Sequence, residues 1–236
     1  MRSMEMSPLV MARVAGLLYL LIIVCGIFSE AAVRTVLVVA GDAAATAQNI
    51  SASAGLFRLG FLADIIMLLC DVAIAVLFYL LLQPVSRTLA MAAAAFRLLQ
   101  AGVLAVNMLN YYAAMLLLSG SIYAGAFEPD VLNALAMLFL QLHAHGYDLA
   151  LLFFALSNLF LGWLLVRAQA FPSLLGYGLW GAALVYLIGS LSRFLAPEYH
   201  AWLMPAYIIP LVAEFSFCLW LLVKGMRVGS QDQLLS

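Results

Sequence analysis

The chain has 236 residues, 67% hydrophobic and 9% charged, with a formal net charge of −1, whereas a soluble domain is about half apolar and about a quarter charged. A mean hydropathy of +1.14 implies more apolar surface than a water-soluble core can hide, and the balanced charge, without a basic run, gives no electrostatic footprint for nucleic acid. Cys25, Cys70 and Cys218 stand singly in apolar runs, a pattern of buried thiols and not of a disulfide framework or a metal pair.

A helix rising about 1.5 Å per residue needs about 20 apolar residues to cross the hydrocarbon core. Six segments reach that length, at 10–29, 54–83, 89–118, 147–167, 173–195 and 201–224. They predict an all-α fold, a polytopic membrane bundle of six transmembrane helices with short helices on the outer side. No repeat relates the first three spans to the last three, so residues 1–236 read as a single integral membrane domain.

In chain order, Arg2, the stretch Val14–Phe28 and Ser29-Glu30-Ala31 share features with a secretory signal. The apolar run, extended through a snorkelling Arg13, is long enough to remain as helix one. In the first outer connection Asp42, before Ala43–Ala47, predicts the N-cap of a short surface helix. Turns around Gln83-Pro84-Arg87 and Arg167-Phe171-Pro172 predict tight hairpins of helices two and three, and of four and five.

The second outer connection carries Glu128-Pro129-Asp130 ahead of Val131–Leu142, an apolar stretch too short to span. An unbroken helix over 131–167 would be about 55 Å long, so a break is expected near His145-Gly146, with an amphipathic or re-entrant helix before it. Arg2, Arg13, Arg87, Arg167, Lys224 and Arg227 fall on one side of the alternating spans and Arg34, Arg58 and Arg193 on the other. The positive-inside rule then puts both termini in the cytoplasm, with the chain multi-pass in a cytoplasmic membrane. Tyr111, Tyr123, Trp163, Trp180, Trp202 and Trp220 read mostly as interfacial anchors.

Several of these segments carry a family resemblance: Ala15-Gly16-Leu17-Leu18-Tyr19-Leu20, Gly41-Asp42 with Ala43 to Ala47, Leu56-Phe57-Arg58-Leu59-Gly60 running on to Asp64 and Asp71, Pro84-Val85-Ser86-Arg87, and Gly146-Tyr147-Asp148-Leu149. As a set, over about residues 11–227, they resemble the bacterial membrane proteins of domain-of-unknown-function family four-three-eight-six. The resemblance implies a bacterial multi-helix membrane protein with no assigned activity. It carries over no catalytic residue.

Ionisable residues deep in a membrane helix cost about 2.5–3.5 kcal/mol on insertion scales and are functional candidates by default. Asp71 in helix two, Arg97 in helix three and Glu214 in helix six stand at comparable depth, which predicts a buried pair of Asp71 with Arg97, with Glu214 either sharing the guanidinium or remaining protonated. Arg97, Gln100, Asn107, Asn110 and Tyr111 fall on one face of helix three, and Asp64 and Asp71 on one face of helix two. Two polar faces on adjacent helices predict a polar packing seam or an internal cavity, the seam being the favoured reading. Glu30, Arg58, Asp64, His143, His145, Asp148 and Arg193 collect toward the outer side and can rim an outward-facing pocket. His145 and Asp148, three apart, suit a carboxylate orienting an imidazole.

His143 and His145, two apart, make a poor metal chelate. With no His-Glu-x-x-His, P-loop or Gly-x-Ser-x-Gly motif (Ser119-Gly120-Ser121 reading as a helix end), no metal and no cofactor is expected. Three function classes follow. The first is binding or transport of a small or amphipathic ligand. The second is a membrane-embedded enzyme acting on a lipid, with His145 as base and Asp64 or Asp148 as its orienter. The third is a structural or regulatory subunit whose charges fix helix register. The bilayer is the partner common to all three, and the sequence carries no signal of oligomeric state.

Overall fold

A computed structural model describes residues 6–119 and 126–225. Arg2, Gly120, Ser121, Tyr123 and Arg227 lie outside the described residues. No strand occurs among the described residues, and six of the helical stretches are long and apolar enough to cross a membrane. The chain is an all-α, multi-pass membrane helix bundle.

Helix α1, Pro8–Ile27, does not stop near residue 29 but continues through a π-helical stretch, Phe28–Arg34, and a last turn, Thr35–Leu37. Helix α2, Ala43–Ala52, starts where expected, with the Asp42 carboxylate accepting from the Ala45 N–H at 2.8 Å. The turn before it needs Gly41, whose φ of +79° is in the left-handed region. Helix α3, Ala54–Leu82, and helix α4, Arg87–Leu118, form the expected hairpin around Pro84. Pro172 caps helix α6, Ser173–Leu195. The last span is interrupted, with helix α7, Pro197–Leu203, a 3-10 turn over Met204–Tyr207, and helix α8, Ile208–Val223. Pro205 and Pro210 account for the interruption, since each lacks the N–H that would continue the ladder. Gly225, with φ +57°, closes α8 by donating to the Trp220 carbonyl.

Helix α5, Pro129–Arg167, corrects the sequence reading, because its 39 residues run unbroken through His145-Gly146. Two physical reasons are visible. No proline interrupts the stretch after Pro129. The apolar face of residues 131–142, too short to span by itself, is covered by protein. Ala136 and Leu140 join a buried cluster with Val33, Leu37, Ile50, Phe57, Met108, Tyr111 and Ala114. Gly146 serves a close approach here, because a Cβ at this position would fall on the Asn107 side chain.

The chain divides into two compact units. The first combines Met1–Leu21, Cys70–Ala101 and Asp148–Ser236, and the second Ile22–Leu69 and Gly102–Tyr147. In the first unit small residues let helices approach closely, as they do in membrane proteins generally. Gly162 of α5 and Gly176 of α6 each face the other's carbonyl oxygen, and Gly16 of α1 lies against Leu221 and Leu222 of α8. Ser157 of α5 donates to the Ala93 carbonyl of α4 at 2.8 Å.

Overpacking such a contact forces the backbones apart. Gly176→Leu is therefore expected to destabilise the detergent-solubilised protein by about 1–3 kcal/mol. Gly102→Ala, where a Cβ meets nothing within 4 Å, is expected to leave it unchanged or slightly more stable. Unfolding followed by circular dichroism separates the two.

Candidate functional site

The two polar centres lie one in each unit. In the first unit α3 supplies Asp71, and α4 supplies Arg97 and, one turn on, Gln100. Arg97 is 1% exposed and Asp71 3%, so neither charge is solvated. The Arg97 Nε donates to Asp71 Oδ1 at 2.9 Å, Nη2 lies 2.6 Å from the same oxygen, and Gln100 Nε2 donates to Oδ2 at 3.4 Å. The guanidinium carbon sits 4.9 Å from the ring centre of Phe154, 5.3 Å from Tyr19 and 5.8 Å from Phe78. Three rings thus replace water around the cation. Glu214 of α8 lies in the field of Arg97 without replacing Asp71, and its carboxylate is bonded by the Asn158 amide at 3.3 Å and by the Tyr186 hydroxyl.

The second unit builds its centre on an arginine that the sequence reading placed beyond helix one. In an α-helix residues five apart point in different directions. The π-helical stretch Phe28–Arg34 instead brings Ser29 and Arg34 together. Arg34 Nη1 donates to Ser29 Oγ at 2.8 Å and to Asp64 Oδ2 at 2.6 Å, while Nε donates to Glu30 Oε2 at 2.8 Å. Ser29 Oγ in turn donates to the Gly60 carbonyl of α3 at 3.2 Å. The Arg34 side chain keeps 14% of its exposure and Glu30 keeps 65%, so this centre reaches the protein surface where that of Arg97 does not.

Beside Arg34 and Asp64 stands a hydrogen-bonded strip from α4 and α5. Asn107 Nδ2 donates to the His143 carbonyl at 2.8 Å, Asn110 Nδ2 donates to Asn107 Oδ1 at 3.0 Å, and the Tyr111 hydroxyl donates to the Phe57 carbonyl at 2.8 Å. His143 meets Tyr111 edge to face at 5.2 Å between ring centres, and its Nδ1 lies 3.4 Å from the Asn107 carbonyl. Arg34, Asp64 and Glu30 all act on His143 electrostatically. Two buried atoms of this centre, Asp64 Oδ1 and His143 Nε2, have no hydrogen-bond partner among the described residues.

Of the residues singled out in the sequence, the structure brings Asp71 and Arg97 together as expected, with Glu214 as an electrostatic neighbour rather than a shared partner. Asn107 and Asn110 join His143, Asp64 joins Arg34, and Asp148 joins Arg193 through an ion pair of 3.1 Å. Each polar side chain of this α4 face makes at least one contact with a neighbouring helix or within its own strip, as in a packing seam, while Gln100 Oε1 and Arg97 Nη1 keep no partner among the described residues. Arg58 is exposed and lines a shallow groove with Phe57, Met115 and Ser119. His145 is exposed, with Nδ1 2.7 Å from the Gln141 carbonyl. Tyr111, read as an interfacial anchor, is fully buried and stacks on Phe57 at 4.4 Å. Arg34 is the residue that sequence reasoning missed, and Ser29-Glu30 with Arg34 at four- and five-residue spacing was the available signal.

Removing one partner of a buried ion pair strands the other charge. Asp71→Asn or Arg97→Met is expected to cost about 3–5 kcal/mol of stability. The double replacement Asp71→Leu with Arg97→Met is expected to recover most of that loss. Equilibrium unfolding in mixed micelles measures all three.

Comparison with curated proteins and with solved structures gives no match. The profile of the family described as domain of unknown function DUF4386 matches residues 14–225, which takes in both polar centres, the last five spans and the first span from Val14 on. The chain belongs to the DUF4386 family.

Proposed function

We propose that this multi-pass membrane protein binds, and carries across or along the membrane, a small polar or amphipathic ligand at the second unit's polar centre. The observation that supports this most is the pair of buried polar atoms, Asp64 Oδ1 and His143 Nε2, left without partners among the described residues beside an arginine that is partly exposed. A buried polar atom with no partner costs about 1–3 kcal/mol, and a ligand that bonds both returns that energy as affinity. The first unit's Asp71–Arg97 centre also holds unpartnered buried atoms, Arg97 Nη1 and Gln100 Oε1 among them, but aromatic rings enclose it and both charges are almost fully buried, which suits a fixed structural element. The lipid-enzyme reading has less support, because His145 is exposed with Nδ1 2.7 Å from the Gln141 carbonyl and Asp148 is paired with Arg193.

In this reading both termini are cytoplasmic and Arg34, Asp64 and His143 lie toward the outer face. The support is the concentration of Arg13, Arg87, Arg167 and Lys224 on the opposite side. With the native cysteines replaced, Asp42→Cys is expected to react with a membrane-impermeant maleimide in intact cells and Ser86→Cys only after lysis. The reverse pattern overturns the orientation.

The binding reading is tested by melting the full chain in nanodiscs against a panel of short amines, carboxylates, sugars and phospholipids. Saturable stabilisation by one class, absent in Asp64→Asn and retained in the exposed-site control His145→Ala, is the expected result. A melt that no compound moves, with Asp64→Asn altering only the baseline, would move the protein into the structural class.

A further inference from the structure

The chemistry of the second unit's centre narrows the ligand. Its fixed charges are the Arg34 guanidinium against the Glu30 and Asp64 carboxylates, all within 2.8 Å contacts of one side chain, so the cluster is left with one negative charge. The other groups facing it are Cys25 from α1, Tyr111 from α4, and His143 and Tyr147 from α5. None adds a permanent positive charge. Arg58, the second arginine of this unit, is exposed and lines the groove with Phe57, Met115 and Ser119, while the ion pair of Asp64 is with Arg34.

The unspent atoms agree with this charge. Carboxylate oxygen Asp64 Oδ1 is acceptor-only. A carbonyl oxygen can only accept, so the 3.4 Å contact of His143 Nδ1 with the Asn107 carbonyl is a hydrogen bond in the tautomer that carries its hydrogen on Nδ1, the form taken here. In the neutral ring Nε2 is then a lone pair, a second acceptor. Two buried acceptors in a net-negative cluster call for a donor-rich cation. An anion meets like charge, and a neutral donor leaves the charge uncompensated. A transition metal wants more ligands than these, and no group of three or more His, Cys, Asp or Glu able to hold a metal occurs among the described residues. Beyond the acceptors the surroundings are aromatic. Phe61 lies 5.7 Å from Tyr111, which stacks on Phe57, and such faces suit an apolar tail and attract a cationic head.

We propose that this centre recognises a primary ammonium head on a short apolar tail, which donates hydrogen bonds to Asp64 Oδ1 and His143 Nε2. The proposal rests on the ligand-binding reading above and names the class of ligand for the same site. Arg34 is a positioning residue, fixing the Asp64 carboxylate through Oδ2 and leaving Oδ1 for the ligand.

The test is calorimetric titration of the full chain in zwitterionic nanodiscs with n-butylammonium, n-butanol and n-pentanoate, which share a butyl tail and differ only in the head group. The expected result is saturable binding of n-butylammonium and none of the other two. Asp64→Asn and His143→Phe should each weaken it by about tenfold or more, the loss of one hydrogen bond to a charged group. His143→Phe keeps a ring against Tyr111, so it gives a readout even where Asp64→Asn disturbs the Arg34 contacts and misfolds. Butanol binding as tightly as butylammonium, or His143→Phe binding like the wild type, overturns the ammonium assignment while leaving a ligand site in place. Absence of saturable butylammonium binding to the wild type also overturns it, and the wider compound panel then decides separately whether the site binds anything.

Discussion

A guanidinium withdrawn from water must find its counter-charge within the protein, and the Arg97–Asp71 pair is where that constraint acts most strongly. Both side chains are nearly inaccessible, so each makes the other tolerable. Asp71 belongs to α3 and Arg97 to α4, so the pair locks the register of that hairpin. The same carboxylate holds Gln100, while Tyr19 of α1, Phe78 of α3 and Phe154 of α5 surround the cation. Replacement by apolar groups of equal volume would often be neutral in stability; what the pair adds is a single permitted alignment.

Arg34 meets the same constraint with a different outcome. Its carboxylates outnumber it, its surroundings are partly open, and its principal partner Asp64 retains an acceptor that no protein group uses. The local backbone makes this arrangement. A regular α-helix through residues 28–34 would turn Ser29 away from Arg34, and the π-helical stretch brings both onto Asp64 and Gly60 of α3. Such stretches occur often at functional sites, and here the irregularity and the unspent acceptors coincide. One arginine centre is closed by aromatic rings, and the other joins unspent atoms to a partly exposed arginine.

Much of the first centre was legible in the sequence, because depth in a membrane helix is simple arithmetic on residue number. Asp71 and Arg97 stand at matching depths on helices joined by a tight turn, and their meeting follows. Asp42 as an N-cap was equally legible, since capping is local. The second centre was not, because hydropathy ends helix one near residue 29 and leaves Arg34 in a presumed loop. Nothing in apolar periodicity signals a π-helical continuation. The unbroken α5 was obscured by a length rule that counts only bilayer, whereas the extra turns bury Ala136 and Leu140 against Val33, Phe57 and Tyr111. That cluster also explains Tyr111, whose amphipathic ring reads as an interfacial anchor until its stacking partner Phe57 is seen.

The two-acceptor geometry at the second centre is tested most directly by the tautomer of His143. Nitrogen-15 spectra of histidine-labelled protein in nanodiscs, assigned by comparison with a variant lacking that ring, report which nitrogen carries the hydrogen. The expected result is a neutral ring protonated at Nδ1, with the bare Nε2 resonance shifting when a donor ligand is added. A ring protonated at Nε2 would make that nitrogen a donor, remove the second acceptor, and contradict the assignment of this centre as a site for a donor-rich ligand.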